Sequence, residues 1–231
     1  MMTSWNNVVN SVKSRCLIVE EKTVPMIAKL MKHFGKPEGV LGNILVSMMN
    51  IGHAPFIREV LEQIEIHPND TILDIGCGGG YAIDQMLKRG GTACGVDISD
   101  VSVRKASKVN RKAVKDGRAF IEQADVNDLP FREQSFDLVT AFETIYFWTK
   151  IRKSFQDIYR ILKPGGRFLV AVEAYMEDGQ FVNFPRPFRC LKLTLYSAEE
   201  LQSLMKDAGF DYREVRQSPK KKWICVIGKK E

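Results

Sequence analysis

No apolar run in the 231-residue chain approaches the roughly 18 residues that cross a bilayer as a helix. Its opening, MMTSWNNVVNSVKSRC, lacks the basic, then apolar, then small pattern of a secretory signal. The five cysteines, Cys16, Cys77, Cys94, Cys190 and Cys225, are odd in number and widely spaced, with no CxxC. That pattern encodes neither a disulfide framework nor a cysteine zinc site, so no metal is expected and a reducing cytoplasm is the expected compartment. Glycine and proline are not abundant, and 45% of residues are hydrophobic, which excludes collagen-like and disordered classes. Charge of one sign is in modest excess: the net charge of +6 permits an acidic partner without requiring one.

What is present is a change of pattern near residue 67. Before it, apolar residues recur at helical spacing in Trp5, Val8, Val9 and Val12, then Ile27, Leu30, Met31 and Phe34, then Leu41, Ile44, Leu45, Met48 and Met49. A further helix is predicted from Pro55, a residue suited to a first turn, through Phe56, Ile57, Val60, Leu61 and Ile64. Residues 1–66 are therefore expected to form a helical extension or cap. From Thr71 onward strand and helix alternate. Strands are expected at 71–75, 92–98, 119–126, 135–143 and 167–174, with helices after the glycine loop, over 100–116, and along the stripe Ile151, Phe155, Ile158 and Leu162. Ser197 and Glu200 form a capping box for a late helix. Segments 211–216 and 222–228, joined by a short basic turn, are expected to pair antiparallel. Such alternation defines an open α/β sheet with helices on both faces, over residues 67–231. Its ligands bind at the carboxyl ends of the strands.

Three strand ends carry candidate chemistry. LDIGCGGG (73–80) follows the first strand with a glycine loop, where a ligand can approach the backbone and amide N–H groups can face it. Tyr81 stands where a dinucleotide fingerprint requires its third glycine, which argues against a nucleotide-dependent oxidoreductase. Asp97 ends the second strand, where an acid can accept two hydrogen bonds from a ribose diol. Asp125 ends the third, where a carboxylate can accept from an adenine amino group. Either acid alone reads equally well as a loop carboxylate or a cap.

Taken together, LDIGCGGG, GVDIS, ADVNDLPF, FDLVTAFETIYFW and ILKPGGRFLV resemble the class I S-adenosylmethionine-dependent methyltransferases, most of all their small-molecule branch with quinone and sterol methyltransferases. The resemblance covers residues 70–174 closely. It implies a Rossmann-like seven-stranded sheet in the order 3-2-1-4-5-7-6 with the last strand antiparallel. It also implies S-adenosyl-L-methionine as cofactor and methyl transfer to a small molecule. Carried over by position, Asp74 and the backbone of Gly76, Cys77 and Gly78 would hold the methionine portion. Asp97 would bind the ribose, with Ile98 against the adenine. Asp125 and Val126 would read the adenine edge, and Phe142 and Glu143 would lie near the amino-acid end and the sulfonium. A non-catalytic cofactor-binding protein on the same fold is the alternative.

No general base stands out. His53, in MNIGHAPF between two expected helices, is one candidate, and Tyr146 is another. Methionines of the extension, Met49 among them, and Trp148 are candidate substrate contacts. A lid-like insertion at 175–196 adds Arg186 and Arg189, cations suited to an anionic substrate. The basic run from Arg104 to Arg118 reads as a solvated face. The position after the fourth strand reads AFET, which disfavours methylation of exocyclic base amines, so no nucleic-acid partner is expected.

Overall fold

A computed structural model describes residues 38–184, 193–218, 220 and 222–231. The readings made on residues 1–37 and on Arg186 and Arg189 lie outside the described residues. The first described element is a single 24-residue helix, α1 (Gly39–Glu62), with Pro55 inside it. The two helices expected on either side of His53 are thus one. Proline removes one intrahelical hydrogen bond and crowds the preceding turn, at a cost of about 3 kcal/mol. Burial outweighs that cost: Phe56, Ile57, Val60 and Leu61 directly after the proline are all buried. A fully buried aliphatic or aromatic side chain contributes about 1.5–3 kcal/mol relative to its exposed state.

The sheet follows. Strands β1 (Thr71–Ile75), β2 (Thr92–Asp97), β3 (Ala119–Gln123), β4 (Phe136–Phe142) and β5 (Leu162–Val172) are parallel. A small hairpin, β6 (Tyr175–Glu177) and β7 (Gln180–Val182), opens the expected insertion and stands apart from the main sheet. Strands β8 (Tyr212–Gln217) and β9 (Ile224–Lys229) close the sheet in the order β3-β2-β1-β4-β5-β9-β8, with β9 antiparallel to both neighbours. Counting only strands of this sheet, that is the expected 3-2-1-4-5-7-6. Strand β5 begins five residues before its expected start, because Leu162 already pairs with Phe136 of β4 and Gly165 and Gly166 exchange backbone hydrogen bonds with Lys230 instead of forming a free loop.

Helices α2 (Tyr81–Leu87), α3 (Asp100–Val109), α4 (Arg111–Lys115), α5 (Ile151–Ile161) and α6 (Ala198–Ala208) complete the layers. The one helix expected over 100–116 is broken in two at Asn110. Its side-chain amide donates to the Ala106 carbonyl at 3.0 Å and to the Gly80 carbonyl at 2.9 Å. A side chain that competes for helix carbonyls breaks the ladder. The same contact pins the helix to the glycine loop.

Two apolar cores flank the sheet. One, under α5 and α6, is built around Trp148, Phe155, Phe168 and Phe210; the other lies under α1 and α2 around Phe56, Leu61, Ile83 and Trp223. Phe168 is the hub of the first. Its ring meets Phe155 edge-on at 5.1 Å and lies near-parallel to Trp148 at 6.5 Å. We expect Phe168→Ala to lower the unfolding free energy by about 3–5 kcal/mol, read as a fall in the urea midpoint with little change in slope.

Candidate functional site

A cavity of about 270 Å³ opens where β1, β2, β3 and β4 end, with α1 across it. The glycine loop forms its floor and is packed too tightly for a side chain at Gly76 or Gly79. Gly76 has φ +69°, and a Cβ there would sit 2.2 Å from Thr144 Oγ1. A Cβ on Gly79 would sit 2.2 Å from the side-chain amide of Asn50 on α1. The loop's amides are largely used inside the protein. Gly76 and Cys77 N–H both donate to the Val96 carbonyl, at 2.8 and 3.0 Å, and Gly80 N–H donates to Cys77. The amides of Gly76, Cys77 and Gly78, expected to face a ligand, are therefore engaged within the fold, the first two by the Val96 carbonyl of β2 and the third by the Asp97 side chain. What the loop offers a ligand is close approach and carbonyl oxygens, which suit an ammonium.

Asp97 is buried and holds the loop in place. Its Oδ2 accepts from Gly78 N–H at 2.9 Å and its Oδ1 from Ser99 N–H at 2.8 Å. Each oxygen keeps a further lone pair, so two adjacent acceptors remain for a vicinal diol. Burial raises its pKa, against the backbone hydrogen bonds from Ser99 and Gly78. Asp125 also faces this cavity from the end of β3, although it is exposed. Its Oδ1 accepts from Asn127 N–H at 2.8 Å and Asn127 Nδ2 at 2.7 Å, which leaves Oδ2 toward solvent and ligand. Beneath the loop, Asp74 is only 2% exposed and accepts from Thr140 Oγ1 at 2.7 Å. Burial, joined by the charge of Asp97, pushes its pKa up to about 7 against the Thr140 hydrogen bond.

The wall is made by α1 and the end of β4. Val46, Met49, Asn50, His53 and Ile57 follow one stripe of α1 and all face the cavity. Glu143, just past β4, is held at φ +55°, a conformation disfavoured outside glycine. Its Oε1 accepts from the Tyr146 hydroxyl at 3.0 Å and from Glu173 N–H. Burial raises the Glu143 pKa; the His53 charge opposes this. His53 Nδ1 lies 2.7 Å from Glu173 Oε2. Burial alone would lower the imidazole pKa, but the Glu173 hydrogen bond and the charges of Glu143 and Glu173 together raise it.

The sequence-predicted cofactor residues Asp74, Gly76, Cys77, Gly78, Asp97, Ile98, Asp125, Val126, Phe142 and Glu143 all line this one cavity. So do His53, Met49 and Trp148. Tyr146 does not. It sits in a 3-10 turn (Ile145–Phe147) that aims its hydroxyl at Glu143 and the Ala174 carbonyl and presents Phe147 to the cavity instead. Cys77 is buried and its thiol pKa is raised well above normal by burial first, so it has no nucleophilic character. Sequence reasoning missed Asn50, Thr144 and Glu173. The α1 stripe was legible in its spacing but was divided at Pro55.

The comparisons agree with this geometry. Residues 73–170 match the family model described as "Methyltransferase domain". The chain is 28% identical over 178 residues to the O-methyltransferase resE of Aspergillus sclerotiorum, covering 74% of this chain and 67% of that protein. It is 32% identical over 130 residues to the demethylmenaquinone methyltransferase of Symbiobacterium thermophilum, covering 55% and 51%. Several other curated relatives are matched over less than two thirds of their own length. A solved S-adenosylmethionine-dependent methyltransferase from Aquifex aeolicus shares the fold with a TM-score of 0.67 at 18% identity, over 81% of this chain and 97% of that one. Residues 73–170 carry a methyltransferase domain, and S-adenosylmethionine is the cofactor that goes with its cavity.

Asp74 gives a pH signature. Its folded pKa of about 7 exceeds its ordinary 3.8, so between those values the folded state binds more protons than the unfolded one. Stability must then fall as pH rises from about 4 to 7. We expect Asp74→Asn to flatten that decline, measured as the urea midpoint at a series of pH values.

Proposed function

We propose that the protein transfers a methyl group from S-adenosylmethionine to a hydroxyl of a small molecule, with His53 as general base. The observation that carries this reading is a histidine in the cavity wall whose Nδ1 is engaged by Glu173. With Nδ1 occupied, Nε2 is the nitrogen left to take a proton. A hydroxyl must lose its proton as its oxygen forms the new bond, and a positioned base contributes typically 10²–10⁴-fold.

The cofactor supplies an electrophilic methyl on a sulfonium. The residues that would hold it fit its parts. Asp97 offers paired acceptors to the ribose, and Asp125 with Val126 lies where an adenine edge would be read. Ile98, half exposed at the rim, offers an apolar face. Asp74, Glu143 and the loop carbonyls provide negative charge and dipoles for the cationic end. Met49, Phe147 and Trp148 give the acceptor an apolar surface, to which Arg186 is proposed to add a cation for an anionic acceptor. The name of the resE relative supports oxygen as the acceptor atom.

Positioning is the larger contribution. Orientation of two reactants is worth up to about 7–11 kcal/mol, and the half-enclosed cavity between α1 and the strand ends excludes water from the reaction. We infer a small-molecule partner and no nucleic acid: Arg104 pairs with Asp100, and Lys105 donates to Ser47 on α1, so part of the basic run is spent within the fold. Among the described residues no helix is long and apolar enough to cross a membrane. Cys77, Cys94 and Cys225 are unbridged thiols, which supports a reducing, cytoplasmic setting.

The test is a screen with isotope-labelled S-adenosylmethionine against phenols, alcohols, amines, thiols and activated carbons. We expect label on an oxygen. His53→Ala should lower turnover by about 10²-fold or more while S-adenosylhomocysteine affinity, by calorimetry, stays within about twofold. Transfer to carbon or sulfur, or full turnover in His53→Ala, overturns the reading.

A further inference from the structure

We propose that Glu173 is a positioning residue that fixes His53 as the Nδ1–H tautomer and that it does so as one half of a two-carboxylate unit with Glu143. This rests on the reading of His53 as base and assigns the groups that make it one. The contact joins the middle of α1 to the residue just past β5, across 120 positions of sequence. Glu173 accepts at His53 Nδ1 through its side chain and donates to Glu143 Oε1 through its backbone N–H. Both acids are thus tied to each other and to one imidazole. The Tyr146 hydroxyl closes the group on the far side: it donates to Glu143 and accepts from Ala174 N–H at 3.3 Å.

An ordinary surface ion pair does not have this form. The His53 side chain is 30% exposed and that of Glu173 36%; His53 lines the cavity wall, and Glu143, a half-buried acid at positive φ, stands behind the pair. Holding Glu143 at positive φ costs the fold free energy, on the order of 1–3 kcal/mol for the backbone alone. The return is negative potential on the imidazole. Among the described residues, the charges acting on His53 come from Glu173 and Glu143, and both favour the protonated ring.

The proton balance follows. As the acceptor oxygen bonds to the methyl carbon, the carbon–sulfur bond breaks with its electron pair going to sulfur. The acceptor O–H bond breaks and its proton goes to His53 Nε2. The resulting imidazolium keeps its Nδ1–H on Glu173 until Nε2–H is lost to water.

His53, Glu143 and Glu173 also present ligand-type atoms within 4.8 Å of one another. The hydrogen bonds favour a proton site over a metal site. Glu143 Oε1 already accepts twice, and His53 Nδ1 touches Glu173 directly.

The chain has three histidines, so the His53 ring can be followed by long-range ¹H–¹⁵N NMR of the full chain saturated with S-adenosylhomocysteine. The His53→Gln spectrum supplies the assignment. In the unaltered protein we expect the Nδ1–H tautomer at high pH, and a His53 titration midpoint that falls in Glu173→Gln. Glu173→Gln should keep S-adenosylhomocysteine affinity within about twofold, which shows it folded. With an acceptor in hand, its kcat should fall about 10²-fold with KM little changed, and Glu173→Asp should recover part of the loss. An Nε2–H tautomer, an unmoved midpoint, or selective broadening of His53 by micromolar Mn²⁺ overturns the proposal. A shifted midpoint together with full turnover in His53→Ala would instead sink the base reading and leave the Glu173–His53 coupling standing.

Discussion

The site depends on the carboxylate of Asp97 and the two backbone amides it holds. Gly78 belongs to the loop after β1 and Ser99 to the turn after β2, so one side chain fixes two strand ends relative to each other. Hydrogen bonds from N–H to an ionised acid are roughly twice as strong as neutral ones. The remaining contacts of the loop build on that clamp. Gly76 and Cys77 lean on the Val96 carbonyl, and Asn110 reaches back from the α3–α4 break to Gly80. With the loop fixed, Asp97 can face a ribose without having to move.

Negative charge is concentrated at the strand tips at some cost. Asp74, Asp97 and Glu143 are all pushed toward their protonated forms, burial being the first cause in each case. Groups kept in a destabilised ionisation state cluster where a ligand will supply the missing charge. A sulfonium and an ammonium are the complement of such a cluster, and their arrival would favour the ionised form of these acids. The cavity is in this sense incomplete as an electrostatic object until it is filled.

Much of this was legible in the sequence because strand ends are marked locally. A short apolar run that stops at glycine or aspartate names both the strand and the residue on its tip, which is why Asp74, Asp97 and Asp125 could be placed without coordinates. Pro55 misled for an equally local reason. Its helix-starting preference is real, but burial of Phe56, Val60 and Leu61 carries the helix through it. Tyr146 turns away from the cavity and Phe147 faces it because a 3-10 turn, with three residues per turn, rotates adjacent side chains differently from a loop. Glu173 could not have been found from its surroundings in the chain. Its meaning depends on a histidine on another element, and nothing in VEAY announces that partner.

Helix α1 has two faces with different obligations. Phe56, Val60 and Leu61 belong to the apolar core, while Met49, Asn50 and His53 belong to the cavity. One helix thus supports the core on one side and shapes the cavity wall on the other, so a wholesale exchange of this segment would cost stability as well as remodel the wall.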